Sequence, residues 1–372
     1  MHVVMFLFHY FENDHRVLKE ALTLREQGHD VTLIAQRDDD SYPEERSEHG
    51  FRVVRLRMHK WPLRKGRYAE YFLRAAAKAV ALKGDVYHAH DLDTLVPAAI
   101  AARIRRKPLV YDSHELFTET HFLIGRARET RMWEFIEKRL IAHCARVITV
   151  SDPIADEMVA RYGIERPVVL RNIPRYEKPP APLPFFPADT SSTALTFLCQ
   201  GYLQPGRGLD QIVRAMNSIP GHRLVILGDG PERDSLLAIV HEEQLEDRVI
   251  IHPAVPLAEL PPRTASADIG LIAYSTASLN FRYALPNKFF EYIMAGVPVI
   301  TTPIPEIAKL VNQFDVGEVV DEPTEEALAT AMRKLAGDAD RRQTIAKNCV
   351  EAARVLCWQE EEKKLIEVYE SL

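Results

Sequence analysis

The 372-residue sequence lacks three features that would each dictate an architecture. Cysteine is scarce, with 4 residues at 144, 199, 349 and 357. Their spacing forms neither a zinc-ligand pattern nor the dense framework of a disulfide-stapled domain, which leaves isolated thiols. Long apolar runs are missing as well. Stretches such as Val3–Phe8 and Leu224–Leu227 are strand-sized, far short of the roughly 20 residues that a membrane-spanning helix needs. The chain opens at once on a strand-like run with no basic lead-in and no small-residue cleavage site. No signal peptide is therefore expected, and a cytoplasmic location is. The third absence is the glycine fingerprint of a dinucleotide-binding dehydrogenase. His9-Tyr10-Phe11-Glu12-Asn13 follows the first strand, and the nearest match, Gly228-Asp229-Gly230-Pro231-Glu232-Arg233, contains Pro and ends in Arg.

What is present fits a globular chain: 47% hydrophobic and 27% charged residues. The length suits two domains of roughly 150–200 residues each. The net charge of −6 is unevenly spread. Residues 1–178 hold 30 Lys and Arg against 26 Asp and Glu, whereas residues 179–372 hold 17 against 27. Such asymmetry suggests a different partner for each half. The basic excess gathers in Arg52–Lys83 and Arg103–Lys107, and Trp61, Tyr68, Tyr71 and Phe72 are interleaved with the first cluster. That mixture suits peripheral contact with an anionic membrane. A solvated helix face with a few core aromatics explains it equally well. Nucleic acid is not expected as a partner.

Short apolar strands alternate with amphipathic helices through the first half. Strands are expected at Val3–Phe8, Val31–Ala35, Phe51–Leu56, Val86–His88, Leu109–Asp112 and Val147–Val150. Helices are expected at Arg16–Gln27, Tyr68–Leu82, Leu95–Arg105 and Arg131–Cys144. Residues 174–193 hold six prolines and little periodicity, a linker signal. The alternation then restarts at Leu195–Leu198 and runs to a strand near Glu318–Val320, with helices at Glu325–Ala336 and Asp338–Leu372 in the tail. The pattern predicts α/β architecture with parallel sheets covered on both faces, whose ligands bind beyond the carboxyl ends of the strands.

Several motifs sit at such ends. Gly201-Tyr202-Leu203-Gln204-Pro205-Gly206-Arg207-Gly208 lies between a strand and a helix, where backbone N–H groups and a guanidinium suit a diphosphate. Gly228-Asp229-Gly230-Pro231 is a second strand-to-helix turn, with glycines that permit close approach of a ligand. Leu285-Pro286-Asn287-Lys288-Phe289-Phe290-Glu291 opens a helix. Lys288 in its first turn opposes the helix dipole unless an anion sits there. Glu291, one turn on, suits ribose hydroxyls as an acceptor. In the first half, His88-Ala89-His90-Asp91 and Asp112-Ser113-His114-Glu115 each follow a strand and offer acid, base and hydrogen-bonding groups. Their separations match no known ligand spacing, so no metal is expected.

Taken in order, these motifs resemble those of a family 4 glycosyltransferase of the GT-B fold, over nearly the whole chain. The match includes Asp14-His15-Arg16-Val17 with Glu20-Ala21, Gly28-His29-Asp30-Val31-Thr32, and the run Glu291 to Ile300. The resemblance implies two Rossmann-like domains with a cleft between them. It places an acceptor-side domain at 1–173, a linker at 174–193, a donor domain at 194–350, and a C-terminal helix at 351–372 that packs back on the first domain. It also implies retaining transfer of a sugar from a UDP- or GDP-linked donor to a hydroxyl acceptor, lipid-linked ones included, without cofactor or metal. By this analogy Arg207 and Lys288 neutralise the diphosphate, Glu291 binds ribose, and Asn287 binds the distal phosphate. Gly201, Gly206, Gly208, Gly228 and Gly230 shape the donor site. His114 contacts the donor sugar, and Asn13, Arg16, His90, Asp91 and Glu115 are acceptor-side candidates. Two departures stand out: Tyr202 where the family commonly has Arg, with Arg207 for its Lys, and Tyr283 where a second Glu is frequent. A sugar-nucleotide epimerase of the same fold and an inactive nucleotide-sugar-binding protein are the alternatives.

Overall fold

A computed structural model describes residues 1–11, 14–38, 45–62, 64–120, 123, 125–186 and 193–372. The chain divides into two compact units, Met1–Arg171 with Glu361–Leu372, and Asn172–Glu360.

The first unit is built on β1 (His2–Phe6), β2 (Asp30–Arg37), β3 (Glu45–Glu48), β4 (Phe51–Arg57), β5 (Val86–His90), β6 (Leu109–Ser113), β7 (Arg146–Thr149) and β8 (Val168–Val169). Their order in the sheet is β3-β4-β2-β1-β5-β6-β7-β8, parallel throughout except for β3. Val3–Phe6 and all of β5 and β6 are buried, as strands covered on both faces must be. The strand order reverses between β1 and β5, so the carboxyl ends of β5 and β6 lie beside the switch point, where ligands of such sheets bind. Helix His15–Glu26 begins where Asp14 accepts the Val17 N–H at 2.9 Å.

The second unit has β9 (Thr196–Gln200), β10 (Arg223–Leu227), β11 (Val249–His252), β12 (Ile269–Ile272), β13 (Val299–Thr301) and β14 (Gly317–Val319). Their order is β11-β10-β9-β12-β13-β14, all parallel, with the reversal between β9 and β12. One continuous apolar core fills this unit, with Phe197, Ile226, Leu271, Phe289, Phe290 and Ile300 fully enclosed.

Several elements differ from the sequence expectation. The edge strands β3 and β8, and helices Asp152–Tyr162, Leu260–Thr264 and Leu279–Arg282, carry no strong period of their own, whereas Pro305–Phe314, also absent from the expectation, does carry one and buries Ile307, Leu310 and Val311 along one face. The tail is two helices rather than one long one. Ala339–Val355 ends at Leu356 and Cys357, and Trp358–Glu370 follows. The break lets Trp358, fully buried, donate its N–H to the Pro174 carbonyl at 2.9 Å. From Glu361 onward the last helix belongs to the first unit. There Glu361 accepts the Arg171 N–H at 3.0 Å, and Tyr369 is buried. The proline-rich stretch runs along the second unit instead of standing free. Leu183 donates to the Pro262 carbonyl at 2.8 Å, and Arg263 lies over the Phe185 ring. Residues 187–192 of that stretch lie outside the described residues.

Candidate functional site

In the second unit a pocket of about 540 Å³ opens at the carboxyl ends of the strands, at the β9/β12 switch point. Its lining joins three of the motifs: Gly201, Tyr202 and Arg207; Gly228 and Asp229; and Pro286, Asn287, Lys288 and Glu291. Helix Asn287–Met294 follows Pro286, whose ring cannot cap it; no side chain accepts its first N–H groups, and Asn287 and Lys288 in that first turn line the pocket. Lys288 is only 6% exposed, yet among the described residues neither it nor Arg207 forms an ion pair. The two cations converge on Gly201: a Cβ there would sit 3.3 Å from Arg207 Nη1 and 3.6 Å from Lys288 Nζ. A buried lysine without a counter-charge is costly unless a ligand supplies one.

The glycines divide into two groups. Gly201 and Gly228 line the pocket, and Gly228 has φ 153° with the Gly201 carbonyl directly against it. Gly206, Gly208 and Gly230 do not line it. Their missing side chains allow close packing instead. A Cβ at Gly208 would lie 2.2 Å from the Ala273 carbonyl, and one at Gly206 would lie 2.5 Å from the Phe281 ring. One at Gly230 would meet the Leu203 carbonyl at 2.2 Å. The loop is thereby pressed onto the end of β12, which carries Arg207 into the pocket.

Besides the apolar Ala254, Val255 and Leu260, two polar-tipped lining residues were not anticipated. Gln200, the last residue of β9, donates to Glu291 Oε2 at 2.5 Å and accepts from Thr264 Oγ1 at 2.9 Å. Tyr274, just past β12, lies under both cations at 5.3 Å from each. The available signal was position: each is a polar-tipped residue at the carboxyl end of an otherwise apolar strand.

In the first unit, the ends of β5 and β6 bring His90, Asp91, Asp112 and His114 together. His114 sits between two carboxylates, with Nε2 3.0 Å from Asp112 Oδ2, Nδ1 3.5 Å from Asp91 Oδ2, and its backbone N–H donating to Asp91 Oδ1 at 3.0 Å. Burial alone would lower its pKa, but Asp91 and Asp112 outweigh that and raise it to about 10. Burial pushes Asp91 up to about 7 even though His114 pulls it down. Asp91 also holds φ 64° and ψ 168°, a region in which essentially only glycine is at ease. Glu115 is half-buried beside it.

Two acceptor-side candidates are interior. Arg16, 2% exposed, donates to both oxygens of Asp112 at 2.6 and 2.7 Å and to the Leu170 carbonyl, and it stands 3.1 Å from Glu20 Oε1. It organises the cluster from behind and presents nothing to a ligand. His90 is also buried, 3.3 Å from Asp112 and stacked on His88. The pattern of a helix face pointing at a strand end does not tell a lining residue from a supporting one. Asn13 lies outside the described residues.

Glu20, His88, His90 and Asp112 bring possible ligand atoms within 4.8 Å of one another. The set does not fit a divalent cation. Arg16 already occupies both Asp112 oxygens and faces Glu20, so the ion would meet a buried guanidinium. Burial, and then Asp112, push the Glu20 carboxyl well up toward its neutral form, a poor ligand.

The membrane expectation rests on fewer free charges than the sequence suggested. Arg55 is buried, Arg67 pairs with Asp38, and Arg74 pairs with Glu70. Among the described residues no helix is long and apolar enough to cross a membrane.

Comparison with known proteins agrees with this architecture. Residues 16–173 match the family described as Glycosyltransferase Family 4, and residues 185–352 match Glycosyl transferases group 1. The chain is 32% identical over 151 residues to a GDP-mannose-dependent alpha-(1-6)-phosphatidylinositol monomannoside mannosyltransferase of Mycobacterium tuberculosis, a match spanning 39% of each chain. It is 25% identical over 304 residues to a D-inositol 3-phosphate glycosyltransferase of Xylanimonas cellulosilytica, over 77% of this chain and 71% of that one. Sucrose-phosphate synthase of Thermosynechococcus elongatus has the same fold, with a TM-score of 0.82 at 16% identity over 100% of this chain and 98% of that one. Anabaena HepE in complex with UDP gives 0.76 at 19% identity, over 100% of both chains. With both halves matched in order and the fold shared along its whole length, the chain belongs to the family 4 glycosyltransferases of the GT-B fold.

Proposed function

We propose that this protein transfers a hexose from a UDP- or GDP-linked sugar to a hydroxyl acceptor, in the synthesis of a glycan, a lipid-linked sugar or a cell-surface polysaccharide. The observation that carries this reading is the unpaired pair of cations, Arg207 and buried Lys288, beside an uncapped helix start in a pocket of about 540 Å³. A diphosphate supplies the missing negative charge, and Glu291, held by Gln200, accepts from the ribose hydroxyls. The mannosyltransferase relative is GDP-mannose-dependent, and HepE is known in complex with UDP-glucose, which supports a nucleoside-diphosphate sugar as donor.

In this reading the bond from the anomeric carbon to the diphosphate breaks while the acceptor oxygen bonds the same face, with retention. The acceptor proton passes to a diphosphate oxygen. Arg207, Lys288 and the N–H groups at Asn287 stabilise the charge that builds there, so catalysis is positioning and electrostatics, without metal or protein nucleophile. The first unit serves the acceptor through Asp91 and Glu115, while His114, which the family resemblance assigns to the donor sugar, acts as a fixed cation rather than a proton carrier. A lipid-linked acceptor accords with the phosphatidylinositol monomannoside in the relative's name. Contact with an anionic membrane accords with Lys60, Lys65, Lys78 and Lys83, beside exposed Trp61 and Leu73.

A thermal-shift panel of nucleoside diphosphates and their sugars tests the donor assignment, since a ligand that binds only the folded state raises the midpoint. UDP or GDP is expected to raise it and the free nucleosides to do so far less. A flat panel at millimolar concentrations refutes the reading.

A further inference from the structure

We infer that Tyr274 is a positioning residue of the donor pocket, whose ring face holds Arg207 and Lys288 on the diphosphate site in place of a carboxylate; this rests on the donor reading above. Arg207 Cζ and Lys288 Nζ each lie 5.3 Å from the centre of this one ring. Two cations converging on Gly201 repel each other, and something must hold them together before the ligand arrives. An acidic residue would do so, but it would occupy their N–H donors and compete with phosphate. An aromatic face attracts both charges through its quadrupole and accepts none of the in-plane N–H bonds that a diphosphate needs.

The surroundings fix the ring rather than leave it to chance. Tyr274 is 3% exposed, its carbonyl accepts from Thr302 Oγ1 at 2.8 Å, and the Phe281 ring packs against it at 5.2 Å. The next residue, Ser275, donates its N–H to the Gly206 carbonyl at 2.8 Å, tying this segment to the loop that carries Arg207. Gly206 in turn leaves room for Phe281. Gln204, with its amide oxygen turned toward Arg207, accepts from Nε and Nη2 at 3.3 Å and steadies the other side of the guanidinium. The arrangement differs from ordinary core packing in one respect: a large aliphatic side chain fills the space against Phe281 but offers the cations no face.

That difference is the test. Titration calorimetry on the full chain compares UDP and GDP with uridine and guanosine for the wild type, Tyr274→Phe and Tyr274→Leu. Tyr274→Phe keeps the face and is expected to bind within about twofold of the wild type. Tyr274→Leu is expected to lose roughly tenfold in affinity for the diphosphates, with little change for the nucleosides. Should Tyr274→Leu fail to fold, pentafluorophenylalanine placed at position 274 keeps the ring shape while reversing its quadrupole, and the same selective loss is expected relative to Tyr274→Phe. Equal diphosphate affinity in these variants overturns the proposal, as does a parallel loss for nucleosides and diphosphates. A wild type that binds no nucleoside diphosphate at all refutes the donor reading itself.

Discussion

Gln200 donates through Nε2 to Glu291 Oε2 at 2.5 Å while its own amide oxygen accepts from Thr264 Oγ1 at 2.9 Å, so the helix-start carboxylate is fixed by a chain anchored at the end of β9. Fixing the carboxylate before the ligand arrives removes an ordering cost from binding. Gln200→Leu leaves Glu291 without this donor and is expected to weaken UDP or GDP binding by about 1–3 kcal/mol. Glu291→Gln should weaken ribonucleotides more than their 2′- and 3′-deoxy analogues. Calorimetry with the matched nucleotides measures both, and equal losses for ribose and deoxyribose count against the ribose role.

Arg207→Ala and Lys288→Met each remove one of two cations that form no ion pair among the described residues. Each is expected to cost about 2–5 kcal/mol in nucleoside-diphosphate affinity, the usual loss when a buried charge contact is broken. Lys288→Met is also expected to raise the melting point of the ligand-free protein, because it removes a buried charge that no carboxylate among the described residues neutralises and keeps an apolar side chain over Tyr274. A ligand-free midpoint that falls means the lysine has a structural counter-charge.

The architecture was legible because β1, β9 and β10 are buried on both faces and so read as continuous apolar runs whatever surrounds them. The grouping of residues around the pocket was legible for a related reason: Gly201, Arg207, Lys288 and Glu291 stand at strand-to-helix junctions, which the fold brings to one edge. What was hidden depends on contacts remote in sequence. Arg16 looks like a helix residue free to meet a ligand until Asp112, 96 residues on, takes its guanidinium. Gly206 and Gly208 look like a phosphate loop until Phe281 and Ala273 are found against them. Tyr274 has no motif at all, since its meaning lies in two cations that approach it from different loops.

Asp91 holds a backbone conformation suited to glycine, and the strain persists beside a carboxylate whose pKa has risen to about 7. Asp91→Gly relaxes the backbone and Asp91→Ala does not. The Gly variant is therefore expected to be more stable than the Ala variant by about 1–3 kcal/mol in chemical denaturation. Both are expected to lose transfer to acceptor while donor affinity stays unchanged. Equal stability of the two means that the strain is relieved elsewhere, and full activity in either removes Asp91 from the acceptor role.

His114 offers a pH test whose sign is fixed by its surroundings. Histidine titrates near 6.5 when unfolded, whereas in the folded chain Asp91 and Asp112 overcome burial and hold it at about 10. A group whose pKa rises on folding adds stability that is complete below 6.5 and is lost as the pH climbs through 10. The melting-point gap between the wild type and His114→Gln is therefore expected to be largest near pH 6 and to close toward pH 10. Because Asp91 titrates nearby, the imidazole Cε1–H chemical shift is the direct readout, and it should keep its imidazolium position through neutral pH. Asp112→Asn removes one of the two carboxylates and should bring that transition down toward the ordinary range. An imidazole that titrates near 6.5 in the wild type shows that the carboxylates do not hold the proton, and His114 then returns to the field as a proton carrier.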